Sequence, residues 1–91
     1  MSERSRAVYA ISVAADMVSM GIQNLRVYER RGLVRPGRTS GGSRLYSVDD
    51  IDRLHRIRDL LAEGLNLAGI ARVLALEDRV AHLERQLDKR R

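Results

Sequence analysis

A mainly α fold carrying one small β-hairpin is what this sequence predicts, on three observations. Apolar residues recur at helical spacing in successive stretches between Ile11 and Leu87. Between the second and third of these lies GRTSGGSRLYS, residues 37–47. Its Gly41-Gly42 pair suits a tight hairpin turn, because glycine reaches positive φ without a Cβ penalty. Finally, 91 residues leave room for one small domain with a modest core.

The elements follow in order. Residues 1–10 read as a flexible basic arm. Ser12 is a good N-cap, and Val13, Ala14, Met17 and Val18 follow at helical spacing, giving a first helix that ends near Ser19. Gly21 stands in the break. A second helix runs from about Ile22 to Arg31 on a stripe of Ile22, Leu25 and Tyr28 or Glu29, closed by Gly32 in the left-handed conformation. Two short helices around a tight turn make the helix-turn-helix pattern. Pro36 then stops regular structure ahead of the hairpin.

Ser47-Val48-Asp49-Asp50 resembles a capping box, with two carboxylates well placed at a helix N-terminus. The helix behind it carries Val48, Ile51, Leu54, Ile57 or Arg58, Leu60 and Leu61, and stops before Gly64. Asn66 caps a fourth helix with Leu67, Ile70, Val73 and Leu74 inward. From there Val73, Leu76, Val80, Leu83 and Leu87 are spaced 3, 4, 3, 4, the a/d register of a coiled coil, with polar residues between. So narrow a stripe buries little against its own domain, and pairing with a second copy is its natural use. Folding back on the core is the alternative. The organisation expected is an arm over 1–10, a winged helix-turn-helix domain over 11–75 and a short C-terminal dimerisation helix over 76–91.

Charge placement narrows the function. The net charge of +5 sits entirely in residues 1–47, where eight arginines face Glu3, Asp16 and Glu29; residues 48–91 balance nine against nine. A basic half on a neutral scaffold suits a polyanion. Three tyrosines with no Phe or Trp make a thin stacking platform for single strands, so duplex DNA is the better match. The absence of cysteine excludes disulfides and thiolate metal sites. No run approaches membrane-spanning length and no hydrophobic signal segment opens the chain, so a soluble, cytoplasmic protein is expected.

An enzyme is not expected. No nucleophile–base–orienter set can be assembled around His55, His82 or any serine, and there is no phosphate-binding GxxxxGK[ST] loop. No cofactor or metal is implied. DNA binding fits better, because the start of the second helix in a helix-turn-helix faces base edges in the major groove. That surface holds Gln23, Asn24, Arg26 and, a turn on, Arg30; Gln and Asn can pair with adenine, Arg with guanine. Tyr28 and the Arg30-Arg31 pair can donate to phosphates. A basic hairpin directly after such a helix is a wing. Arg38 and Arg44 reach phosphate or the minor groove, Thr39, Gly42 and Ser43 join the candidate DNA-binding set, and Tyr46 anchors the base. Taken singly, each of these residues is also an ordinary solvated surface position.

LRVYERRGLV, GGSRLYS, DDIDRL and GLNLAGI, in that order between Ile11 and Leu76, resemble the DNA-binding domain of MerR-family transcription regulators. RTSGGSRLYS, NLAGI and LEDRVAHLERQL look most like the heat-shock-repressor (HspR) branch. The resemblance implies a winged-helix homodimer, joined by an antiparallel coiled coil, on an inverted-repeat operator in double-stranded DNA. It assigns DNA contact to Arg26, Tyr28, Arg38, Arg44 and Tyr46, adds Asn66 in a second wing, and brings Ser12 into the candidate set. It also suggests a DnaK-type chaperone as partner. With the chain ending at Arg91, soon after the heptad helix, no small-molecule ligand is expected, and without cysteine the family's metal sensing is excluded. Two other classes stay open: an excisionase-like architectural factor that bends DNA, and a protein-interaction module acting through the heptad helix.

Overall fold

A computed structural model describes residues 3–90. After a single 3-10 turn at Glu3–Ser5 come β1 (Tyr9–Ala10), α1 (Ile11–Val18), α2 (Ile22–Arg30), β2 (Gly37–Arg38), β3 (Arg44–Tyr46), α3 (Val48–Ala62) and α4 (Leu67–Lys89). Contacts divide the chain into two compact units, one up to Asp59 and one from Leu60 onward.

In the first unit the three strands form an antiparallel sheet in the order β1-β3-β2. Tyr9 pairs with Tyr46 and Ala10 with Leu45 on one edge of β3; Gly37 pairs with Leu45 and Arg38 with Arg44 on the other. The expected arm over 1–10 is therefore corrected at its end. Tyr9 and Ala10 are strand, and the Val8 amide donates to the Tyr46 carbonyl at 3.0 Å. Polar composition concealed two residues whose backbone completes the hairpin's open edge. The first two residues of that arm lie outside the described residues, as does Arg91 of the predicted terminal helix.

The α1–α2 turn differs in detail from the sequence expectation. Ser12 is not the N-cap of α1; Ala10 is, without a side-chain cap, because the strand runs directly into the helix. Gly21 has ordinary extended backbone and precedes α2. The left-handed residue is Ser19, with φ 54°, and the Met20 amide reaches back to the Ala15 carbonyl at 3.0 Å. Ala14, Ala15 and Val18 are buried while Val13 and Met17 are exposed, so the buried stripe is rotated from the one expected.

At the end of α2 the reading of Gly32 holds. It takes φ 73°, its amide bonds to the Glu29 carbonyl at 2.9 Å, and the Leu33 amide bonds to the Tyr28 carbonyl at 2.9 Å. This is a Schellman closure with buried Leu33 beside buried Tyr28. The capping box of α3 is reciprocal: the Asp50 amide donates to Ser47 Oγ at 3.0 Å and the Ser47 amide to Asp50 Oδ2 at 2.9 Å. Behind it Ile51, Leu54, Ile57 and Leu60 are buried at intervals of three. A fully buried aliphatic side chain of this size contributes roughly 1.5–3 kcal/mol.

In the second unit Asn66 caps α4 as expected, accepting from the Gly69 amide at 2.8 Å. Ile70 and Leu74 are buried. The helix then continues unbroken through the expected boundary at residues 75 and 76, because neither Gly nor Pro follows Gly69. Its 23 residues make it about 34 Å long.

Candidate nucleic-acid interface

Apart from Ser12 on α1, every side chain in the candidate interface of the first unit lies on α2, at its C-terminal end or on the hairpin behind it. On α2, Leu25 and Tyr28 turn inward, which leaves Gln23, Asn24, Arg30 and Arg31 exposed and Arg26 half-buried. Among the described residues, Arg26, Arg30 and Arg31 take part in no ion pair. Gly21, the N-cap of α2, supplies no side chain to the first-turn amides, so the helix begins with a positive end.

The hairpin is closed by its own polar groups. The Thr39 amide donates to the Ser43 carbonyl at 2.9 Å, the Gly42 amide to the Thr39 carbonyl at 2.9 Å, and the Ser43 amide to Thr39 Oγ1 at 3.1 Å. Of the two glycines only Gly42 needs its special freedom, at φ 85°. Arg38 Nη1 donates to the Gly42 carbonyl at 2.8 Å, strapping the strand to the tip.

Strand pairing sets Arg38 and Arg44 directly opposite each other, an arrangement that repels. Glu29, on the last turn of α2, resolves it. Its Oε2 accepts from Arg38 Nη2 at 2.7 Å and its Oε1 accepts from Arg44 Nε. Burial opposes ionisation of Glu29, but the hydrogen bonds from Arg44 and Arg38, together with their charges, outweigh it and hold its carboxyl below the usual carboxylate range. The bond to Glu29 in turn raises the pKa of Arg44. The wing is thereby tied to the helix, a link the sequence reading missed. Glu29 entered it only as an ambiguous member of an apolar stripe.

One expected contact is corrected: Tyr46 is 0% exposed and its ring belongs to the core rather than to a phosphate-facing surface, and the Tyr28 ring, 4% exposed, packs in the core as well. Burial raises the pKa of both phenols, and among the described residues the Tyr46 hydroxyl has no hydrogen-bond partner. The anchoring role read for Tyr46 fits this burial. Three further arginines act within the fold. Arg53 donates to the Leu33 carbonyl, Arg58 Nη1 to the Val18 carbonyl at the end of α1 at 3.2 Å, and Arg4 pairs with Asp49 at 3.2 Å and with Asp52. A cation on a terminal helix carbonyl, as Arg58 is on Val18, is well placed against the helix dipole.

Ser12 is exposed in the first turn of α1. In the second unit Asn66 is exposed, with its carbonyl oxygen committed to the cap of α4. Along α4, Val73 is half-buried, whereas Leu76, Val80, Leu83 and Leu87 are exposed by 63%, 54%, 46% and 61%. Among the described residues no group of three His, Asp or Glu side chains could hold a metal, and no helix is long and apolar enough to cross a membrane.

Comparisons with known proteins place this geometry. The family model described as "MerR HTH family regulatory protein" matches residues 9–77. The chain is 50% identical over 78 residues to the putative heat shock protein HspR of Streptomyces coelicolor, covering 85% of this chain and 52% of that protein. It is 41% identical over 75 residues to the transcriptional regulator GlnR of Bacillus anthracis, covering 82% and 58%. The chain thus spans little more than half the length of these relatives. Among solved structures it is similar to HiNmlR, a MerR family regulator lacking the sensor domain and bound to promoter DNA. The TM-score there is 0.70 at 26% identity, over 88% of this chain and 67% of that one. It is also similar to PbrR691 of Ralstonia metallidurans in complex with lead(II), at TM-score 0.74 and 28% identity, over 90% and 74%. The chain belongs to the MerR family of helix-turn-helix regulatory proteins.

Proposed function

From that membership we propose that this regulator is a sequence-specific repressor of the heat-shock type, acting as a cytoplasmic homodimer on an inverted-repeat operator in duplex DNA. The observation that carries the reading is the coupling of α2 to a basic wing. Gln23, Asn24, Arg26 and Arg30 lie on the helix, and Arg38 and Arg44 are fastened to the same helix by Glu29. A helix of this kind suits the major groove, and a wing fixed beside it suits the adjacent backbone. Ser12, Arg31, Thr39, Gly42, Ser43 and Asn66 are proposed as supporting contacts to the backbone. Tyr28 and Tyr46 act from the core, as supports of the helix and the wing.

The heat-shock assignment rests on the 50% identity to HspR and makes a DnaK-type chaperone the partner to test. The division of labour proposed is DNA binding by residues 11–75 and dimerisation by residues 76–91. For the homodimer the support is the exposed apolar series Leu76, Val80, Leu83 and Leu87 on one helix. Such a stripe is the seam of a two-helix coiled coil.

Selecting bound fragments from randomised and genomic DNA with purified protein at near-physiological salt tests the reading. An inverted repeat upstream of chaperone genes is expected. Direct repeats or scattered AT-rich sites would replace the repressor by an architectural, DNA-bending protein.

A further inference from the structure

We propose that Glu29 is a positioning residue for DNA binding: its carboxylate, held between Arg38 and Arg44, sets the wing on α2 and turns the remaining guanidinium N–H groups of both arginines toward phosphate. This rests on α2 and the wing forming the DNA face. Three observations carry it. Strand register puts the two cations directly opposite each other, where they would otherwise push the hairpin open. Each Glu29 oxygen takes one of them, so the whole carboxylate is spent on the wing. And the Glu29 side chain is only 19% exposed, against 47% for Arg38 and 26% for Arg44, so the acid lies behind the bases.

Donor geometry completes the case. A guanidinium offers five N–H groups in a fixed fork. Arg44 gives Nε to Glu29, which leaves both Nη groups, the end that grips a phosphate in bidentate fashion. Arg38 gives one bond from Nη2 to Glu29 and one from Nη1 to Gly42, with its other N–H groups remaining. Two cations and one anion keep the cluster at net +1. An acid on a DNA-facing helix would ordinarily weaken binding through repulsion. Here it orders two bases that would each lose side-chain entropy on reaching a phosphate unaided.

The consequence runs against simple charge counting: removing this negative charge weakens DNA binding. Glu29→Ala and Glu29→Gln, and Arg44→Ala and an Arg38→Ala/Arg44→Ala pair with and without Glu29→Ala, are titrated with the duplex most enriched in selection by the wild-type protein. Thermal melts confirm folding, and the near-isosteric Glu29→Gln substitutes wherever Ala fails to fold. The expected result is a loss of about tenfold for Glu29→Ala, the lower end of what orienting outer partners contribute at metal sites. Glu29→Gln should lose less. In the background lacking both arginines, Glu29→Ala should cost nothing further.

Binding by Glu29→Ala as tight as wild type, or tighter, overturns the inference. So does an equal loss with and without the arginines, which would mean that Glu29 acts through the fold alone. If instead the arginine variants bind DNA like wild type, the reading of the interface itself falls.

Discussion

The α2–wing unit and the second half of α4 are opposite kinds of surface. Along α2 Leu25 and Tyr28 are buried, the helix end is closed by a Schellman turn, and the wing is held by a shared carboxylate. Along α4 beyond Leu74, large aliphatic side chains lie open on one stripe. The first region satisfies its own packing and offers charge outward. The second leaves its apolar stripe open, and we propose that a second copy covers it.

The largest effect expected follows from that contrast. Leu83→Asp puts a charge in the apolar seam and should convert dimers to monomers, halving the mass in sedimentation, while the fold of the DNA-binding unit remains. An unchanged mass would remove α4 from the interface. Next, Arg44→Ala should flatten the log–log salt dependence of DNA binding by about one unit, with sequence preference retained. A change in preference at constant slope would move Arg44 from phosphate to base edges.

Smaller effects test the interior of the first region. Tyr46→Phe removes a buried hydroxyl that has no partner among the described residues. It should raise stability by about 1 kcal/mol in chemical denaturation and leave DNA affinity unchanged. A clear loss of affinity would return the hydroxyl to the interface. Ser19→Gly should stabilise by roughly 0.5–1 kcal/mol, since a left-handed residue with a Cβ is strained and glycine's extra chain entropy offsets only part of the gain. An unchanged or lower melting midpoint would show that the turn tolerates Ser19 without strain.

What could be read from the sequence is what depends on near neighbours in the chain. Gly32, the Ser47–Asp50 box, the Asn66 cap and the hairpin around Gly42 are all local signals, and the structure bears them out. What could not be read depends on residues brought together from a distance. The Glu29 link joins positions 9 and 15 residues apart, β1 exists only because β3 has a free edge, and Arg58 reaches Val18 across 40 residues. Tyr28 and Tyr46 show the same limit from the other side. Their type fits either a surface donor or a core ring, and only the fold decides. Ser12 misled because a strand running straight into α1 leaves no capping loop.

Hydroxyl-radical footprinting of wild type and Arg44→Ala on the selected duplex tests the central claim most directly. The account predicts protection of both strands, symmetric about a dyad, with one protected patch lost from each half-site in the variant. A single asymmetric footprint, or one that Arg44→Ala leaves intact, would contradict it.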